Sequence, residues 1–276
     1  MTWDAERAYR DHLTAVDVAA LADVLDGRPL PGMLSSPEVE QVVFGAEAAL
    51  DPGRAVSPFL TFAVAVHRVA ERLARTTYVD EWVGPRQRVP VFAVEPLRTL
   101  LADPLRRFFF VELLASYTHV VSGSTWTATR RGWRRRRFSE LDPVQLAALL
   151  EAVPAAERPG VLRRLGDLAL FLTGVFPDHT ATSSLGRPMA EVHLLRSAAL
   201  DPSRMPGSAG NAFELLELLG ARWYRLASRL SPAVSGSVGV LGVMAEHFTD
   251  ARRILNVVTD VYLFPLREQW FGRPAA

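Results

Sequence analysis

The sequence predicts an all-α protein, a single compact domain of about ten helices with one arginine-rich β-hairpin inserted between two of them. Three observations support this fold class. Apolar residues recur at helical spacing along most of the chain, and several of these stretches begin with Ser-Pro. One segment instead combines β-branched and aromatic residues around a glycine-containing turn. We assign 1–276 to one domain and the hairpin insertion to 122–139.

Helix boundaries follow from capping residues and prolines. A first helix is predicted at 3–25, before a Gly- and Pro-rich break at 27–32. Ser36-Pro37 and Ser57-Pro58 each combine a capping serine with proline at the first helical position, so each begins a helix. Further helices are predicted at 93–121 with an interruption at Asp103-Pro104, 143–152, 155–176, 187–199, 209–230 and 236–263.

Three other stretches depart from the helical pattern. Residues 76–92 contain Val, Tyr and Trp in close succession and are predicted to be extended. The segments 177–186 and 200–210 are rich in Pro, Ser, Gly and Thr and are predicted to be surface loops. In the hairpin, Ser124 to Thr129 form the first strand and Trp133 to Phe138 the second, on either side of a turn that contains a glycine.

Composition narrows the classes of function. Every one of the 31 basic residues is arginine, and the formal net charge is only +1, so the whole chain is not a polycation that coats nucleic acid or an anionic membrane. The absence of cysteine excludes disulfides, cysteine-ligated zinc, iron–sulfur clusters and thiol catalysis. We expect no signal peptide and no membrane-spanning segment, and hence a soluble, cytoplasmic protein without a membrane partner.

Positive charge is concentrated in the hairpin. Removing its six arginines from a formal net charge of +1 leaves −5 on the remaining residues. Because side chains alternate along a strand, the arginines are expected on both faces of the hairpin, near the flat rings of Trp126 and Trp133. This pattern is typical of an arm that binds nucleic acid. The residues predicted to bind are Arg130, Arg131, Trp133, Arg134, Arg135, Arg136 and Arg137.

Other interpretations of the hairpin stay open. Its charges can be solvated and partly paired with acidic residues, including Glu140 and Asp142 directly after it. A basic hairpin can also dock on an acidic protein partner, and the chain can form a homodimer. The sequence does not separate these partners from nucleic acid.

One charged residue interrupts the most apolar stretch of the chain, 165–177. Asp167 is expected to be buried there, which is costly unless an arginine or several donors meet it. Arg163, one turn earlier, is the local candidate. One interpretation is a structural ion pair, and the other is a ligand pocket bordered by Asp167, Arg163 and Trp223. Gly166 indicates a close approach of another helix or of a ligand.

Histidines and carboxylates on predicted helices suggest a metal or haem site as a further alternative. Di-iron bundles use Glu-x-x-His pairs on two helices, and this pattern is absent here. His119 alone is a candidate axial haem ligand, although a single histidine on an apolar helix is typical of a protein core. The candidate metal ligands are Glu112, His119, Glu246, His247 and Asp250.

The favoured function is a non-enzymatic binding or regulatory protein that contacts a polyanion, nucleic acid first, through its hairpin. No Gly-x-Ser-x-Gly elbow and no glycine-rich phosphate loop occurs, so no catalytic residue and no cofactor is predicted. One alternative is a helical-bundle protein, enzymatic or not, that binds a small molecule, metal or haem in a pocket near Asp167 and His119. The other alternative is a protein-interaction module.

Overall fold

The structure is a computed structural model that describes residues 3–45, 56–118, 122–129, 132–182, 188–202, 211–231 and 236–263. Within these residues the chain is helical apart from two antiparallel hairpins, which confirms the predicted all-α class with an inserted hairpin. Contacts between residues divide the chain into two compact units. The first comprises described residues within 1–83, 88–118 and 253–270, and the second comprises those within 84–87, 119–252 and 271–276. The assignment of 1–276 to one domain stays a prediction.

The described residues before the arginine-rich segment form seven helices and one hairpin. In chain order these are α1 (Ala5–Arg10), α2 (Ala15–Leu25), α3 (Leu30–Met33), α4 (Pro37–Phe44), α5 (Pro58–Arg75), β1 (Val79–Gly84), β2 (Gln87–Val91), α6 (Glu95–Ala102) and α7 (Pro104–Ser116).

The described residues that follow form the second hairpin and seven more helices. These are β3 (Ser122–Thr129), β4 (Gly132–Ser139), α8 (Pro143–Ala152), α9 (Arg158–Val175), α10 (Pro177–Thr182), α11 (Pro188–Ser197), α12 (Ala212–Leu230), α13 (Gly236–Glu246) and α14 (Phe248–Val258), which continues as a π-helical turn over Thr259–Leu263.

Two helices begin where the capping residues in the sequence predict. The hydroxyl of Ser36 accepts a hydrogen bond from the Val39 amide, and that of Ser57 accepts one from the Leu60 amide, both at 3.2 Å. Asp103 separates α6 from α7, because its carboxylate accepts from the Leu105 amide at 2.8 Å and begins the second helix. The predicted interruption at this point is confirmed.

The prediction of one helix over 3–25 is wrong, because the chain ends α1 at Arg10 and begins α2 after Thr14. The Thr14 hydroxyl accepts from the Asp17 amide at 3.2 Å, and the Asp17 carboxylate accepts from the Thr14 amide at 2.8 Å. The second oxygen of Asp17 accepts from the Ser57 amide at 2.7 Å. This reciprocal cap and its distant partner stabilise a new helix start.

Other predicted boundaries also need correction. The predicted loop at 177–186 contains α10, in which the Thr180 hydroxyl donates to the Leu172 and Phe176 carbonyls, while 183–187 lie outside the described residues. The predicted helix at 236–263 is divided at His247. The predicted break at 27–32 includes the start of the short helix α3. These divisions give fourteen helices in the described part of the chain instead of about ten.

The stretch 76–92 is extended as predicted, and its pairing into a hairpin is an additional finding. Strands β1 and β2 pair around the turn Pro85-Arg86. Arg86 has a φ of 59°, in the left-handed region. The sequence pattern showed strand character here but no Asn-Gly or Asp-Gly signal for a turn.

In the second unit, α9 packs closely against α12. A Cβ at Gly166 would lie 2.5 Å from the Tyr224 ring, and a Cβ at Gly220 would lie 2.3 Å from the Phe248 ring and 2.8 Å from the Ala169 side chain. The predicted close approach at Gly166 is therefore a contact between helices. No helix among the described residues is long and apolar enough to cross a membrane.

Gly166→Ala should lower the free energy of unfolding by roughly 1–3 kcal/mol, because the new methyl group would overlap the buried Tyr224 ring. Gly160→Ala in the same helix is the matched control, since nothing lies within 4 Å of its added Cβ. The control should be neutral or stabilise the protein by up to about 1 kcal/mol through helix propensity. Urea denaturation of both variants measures the difference, and equal effects would contradict the close approach.

Candidate functional site

The backbone ladder of β3 and β4 gives the arginine-rich segment a defined register. Ser122 pairs with Ser139 at one end and Thr129 pairs with Gly132 at the other. Between them lie four pairs that include arginine: Ser124 with Arg137, Thr125 with Arg136, Trp126 with Arg135 and Thr127 with Arg134. The predicted hairpin over 122–139 therefore forms. Arg130 and Arg131 lie outside the described residues.

The register divides the hairpin positions between two faces. Directly paired residues share a face, and successive residues alternate. Arg134 and Arg136 fall on one face with threonine positions opposite them, as expected from the sequence. The other face carries four aromatic or basic positions, which are Trp126, Trp133, Arg135 and Arg137.

The acidic residues next to the hairpin are engaged by other groups. The Glu140 carboxylate forms an ion pair with Arg164 of α9 at 3.2 Å. The Asp142 carboxylate caps α8 by accepting from the amides of Val144 and Gln145 at 2.9 and 3.2 Å. The segment from Ser122 to Ser139 itself contains no Asp or Glu. Glu140 and Asp142 thus have partners on α9 and α8, and their predicted partial pairing with the hairpin arginines stays a prediction.

These contacts also anchor the base of the hairpin. The Ser139 amide donates to the Gln145 side-chain oxygen at 3.1 Å, and the Gln145 side-chain amide donates to Asp142 at 2.5 Å. The Ser139 hydroxyl accepts from the Leu141 amide at 3.3 Å. Together with the Glu140 ion pair, they fix the end of β4 relative to α8 and α9.

Asp167 is buried, as predicted, and contacts two donors. The Tyr224 hydroxyl donates to one carboxylate oxygen at 2.8 Å, and the Arg163 guanidinium lies 3.8 Å from the other. Trp223 is fully buried, but its indole N–H donates to the Ser197 hydroxyl at 3.1 Å. The structure thus brings Asp167 and Arg163 together and gives Trp223 a different partner. Tyr224, which sequence reasoning missed, donates to Asp167 across 57 positions of the chain.

The candidate metal ligands do not form a cluster in the described part of the chain. There, no group of three or more His, Cys, Asp or Glu residues is suited to hold a metal ion. Glu112 lies 4.0 Å from His12, and His247 lies 3.3 Å from Asp250. Glu246 is exposed, and His119 lies outside the described residues.

A second buried polar pair lies in the first unit and was not predicted. The Tyr9 hydroxyl and the His67 Nε2 are 2.9 Å apart, and both side chains are buried. The Tyr9 ring packs edge-on against Phe108 at 5.1 Å and lies 6.1 Å from Phe59. The available signal was a histidine inside the apolar run of α5, but the sequence offered no means of finding its partner.

Burial controls the protonation of this pair. Loss of solvent lowers the pKa of the His67 imidazole to about 3, and the positive charge of Arg107 acts in the same direction. Loss of solvent also raises the pKa of the Tyr9 hydroxyl, against a smaller lowering by Arg107. Both side chains are therefore neutral near pH 7, and the tautomer of the imidazole sets which of the two donates.

The free energy of unfolding should fall as the pH is lowered from about 6.5 towards 3, because the unfolded state takes up a proton that folded His67 resists. The full effect is on the order of 5 kcal/mol. His67→Gln should show a shallower dependence in urea denaturation at several pH values. Tyr9→Phe keeps the imidazole buried and should retain the slope. A His67→Gln slope equal to that of the wild type would refute this explanation.

Tyr224→Phe should lower the free energy of unfolding by about 1–3 kcal/mol, because it removes the hydroxyl that donates to a buried carboxylate oxygen. Arg163→Gln should lower the free energy of unfolding by less than about 1 kcal/mol, because the Arg163 side chain is 41% exposed and solvent screens its ion pair. Thermal and urea denaturation of the two variants provide the comparison. A larger loss for Arg163→Gln would mean that the ion pair dominates.

Three groups of residues therefore carry chemistry in the described chain: the basic hairpin, the Asp167 cluster and the Tyr9–His67 pair. In the two buried groups, Asp167 contacts Tyr224 and Arg163, and Tyr9 forms a hydrogen bond with His67. Comparison with protein-family models, curated proteins and solved structures finds no match. The function is therefore inferred from the chemistry of these residues.

Proposed function

We propose that the chain is a non-enzymatic binding protein whose hairpin β3–β4 contacts the phosphate backbone of a nucleic acid. The observation that carries the proposal is the concentration of arginine on one two-stranded arm whose neighbouring acids, Glu140 and Asp142, are engaged by α9 and α8. An arm with this charge attracts polyanions although the net charge of the chain is only +1.

The chemistry of arginine suits this partner. A guanidinium presents several N–H donors in a plane and binds phosphate oxygens in a bidentate manner. Consecutive arginines repel one another unless solvent, carboxylates or a polyanion lies nearby. On β4, Arg134 and Arg136 are two residues apart, or roughly 6.6 Å along the strand, so neighbouring charges can reach different phosphates.

The alternatives gain less support from the contacts. A small-molecule pocket at Asp167 would need a polar group available to a ligand, whereas Tyr224 and Arg163 each contact one of its carboxylate oxygens. An acidic protein partner or a second copy of the chain would use the same hairpin charges. These partners are distinguished from nucleic acid by direct titration with oligonucleotides.

Replacing Arg134, Arg135, Arg136 and Arg137 by Gln should weaken binding of fluorescently labelled oligonucleotides and flatten its salt dependence. Each lost phosphate contact reduces the slope of log affinity against log salt by about 0.9 for duplex DNA, so four lost contacts reduce it by up to about 4. Fluorescence anisotropy between about 50 and 300 mM NaCl measures both quantities.

The matched control removes the same formal charge from exposed positions elsewhere, as Arg7→Gln, Arg72→Gln, Arg75→Gln and Arg229→Gln. The control should bind nearly as the wild type does. Equal losses in the two variants would assign binding to overall charge and overturn the hairpin site. A wild-type chain that binds no oligonucleotide at low salt would overturn the nucleic-acid partner itself.

A further inference from the structure

The register of the hairpin assigns different chemistry to its two faces. On one face, the Trp126 position has Arg135 directly opposite and has Trp133 and Arg137 as its diagonal neighbours. On the other face, Arg134 and Arg136 lie opposite Thr127 and Thr125, and Phe138 lies opposite Gly123 at the base of the hairpin. The sequence alone does not define this separation, because a shift of one residue in the pairing would exchange the partners across the strands.

The two faces fit different features of a nucleic acid. In a duplex the flat surfaces of the bases are stacked on one another, and a protein reads only base edges and phosphates. In a single strand the flat surfaces are accessible, and aromatic side chains stack on them next to cations that hold the phosphates. Tryptophan offers a large flat ring but only one N–H donor, so it is better suited to stacking than to reading base edges.

We infer that the face defined by Trp126, Trp133, Arg135 and Arg137 binds single-stranded nucleic acid, with bases stacked on the tryptophans and phosphates held by the arginines. This inference rests on the proposed function and names the form of nucleic acid that the site takes. Arg134 and Arg136 on the opposite face contact phosphates and do not distinguish single strands from duplexes.

The test uses the full chain with three labelled probes of equal length: an oligothymidylate, an oligouridylate and a mixed-sequence DNA duplex. Trp126→Leu with Trp133→Leu should lower affinity for both single strands by at least about fivefold for each tryptophan and leave duplex affinity unchanged. Arg134→Gln with Arg136→Gln is the matched comparison on the other face. It should weaken the binding of all three probes alike. For the duplex, it should reduce the slope of log affinity against log salt by about 2.

A conservative variant separates stacking from hairpin folding. Trp126→Phe with Trp133→Phe keeps an aromatic ring at each position and should recover most of the single-strand affinity lost in the leucine variant. The free energy of unfolding should be the same for the phenylalanine and leucine variants. If the leucine variant instead lost stability in proportion to affinity, the tryptophans would hold the hairpin in place and the inference would be overturned.

The remaining outcomes distinguish this inference from the proposed function. A wild-type chain that binds duplex as tightly as single strands, with both insensitive to the tryptophan variants, would overturn the single-strand assignment and leave the phosphate-binding hairpin intact. Failure of all three probes to bind would overturn the proposed function itself. A preference of the wild-type chain for either single strand over the duplex, lost in the leucine variant, would support the inference.

Discussion

Tyr224 meets two requirements of the second unit at once. Its ring occupies the space that a Cβ on Gly166 would need, and its hydroxyl donates to the buried carboxylate of Asp167. Both contacts form only where α9 and α12 approach closely and in one register. Arg164, on the same helix α9, holds Glu140 at the end of β4. Helix α9 therefore carries both the contacts with Tyr224 and the arginine that binds the base of the hairpin.

In the first unit, one buried polar pair carries no formal charge. Tyr9 and His67 satisfy each other inside an aromatic environment that includes Phe108, and desolvation keeps both neutral. Two buried residues in the described chain are carboxylates with donors at contact: Asp17 accepts from the Thr14 and Ser57 amides, and Asp167 of the second unit contacts a hydroxyl and a nearby guanidinium. Two solutions to the same constraint, that a buried polar group needs a partner, thus occur in one chain.

Local signals predicted most of the fold, and contacts between distant residues explain what they missed. Ser-Pro starts and the Asp103 break act within a few residues, so the sequence shows them directly. The division of α1 from α2 depends in part on the bond from the Ser57 amide to Asp17, and that contact spans 40 positions. In the candidate site, the sequence revealed the positive charge of the hairpin. Which residues of the two strands share a face became clear only from the pairing register in the structure. The Tyr224 partner of Asp167 lies 57 positions away and left no local signal.

The absence of lysine gives the hairpin an unusual chemical constancy. A guanidinium stays protonated at every pH at which proteins fold, and phosphodiesters stay ionised over the same range. The arm also offers no ε-amine for acylation, which in other proteins cancels a positive charge. Neither a change in pH nor modification of lysine can therefore change the charge of this arm. An affinity that varied between pH 5 and 8 would therefore come from groups outside the arginines of the arm.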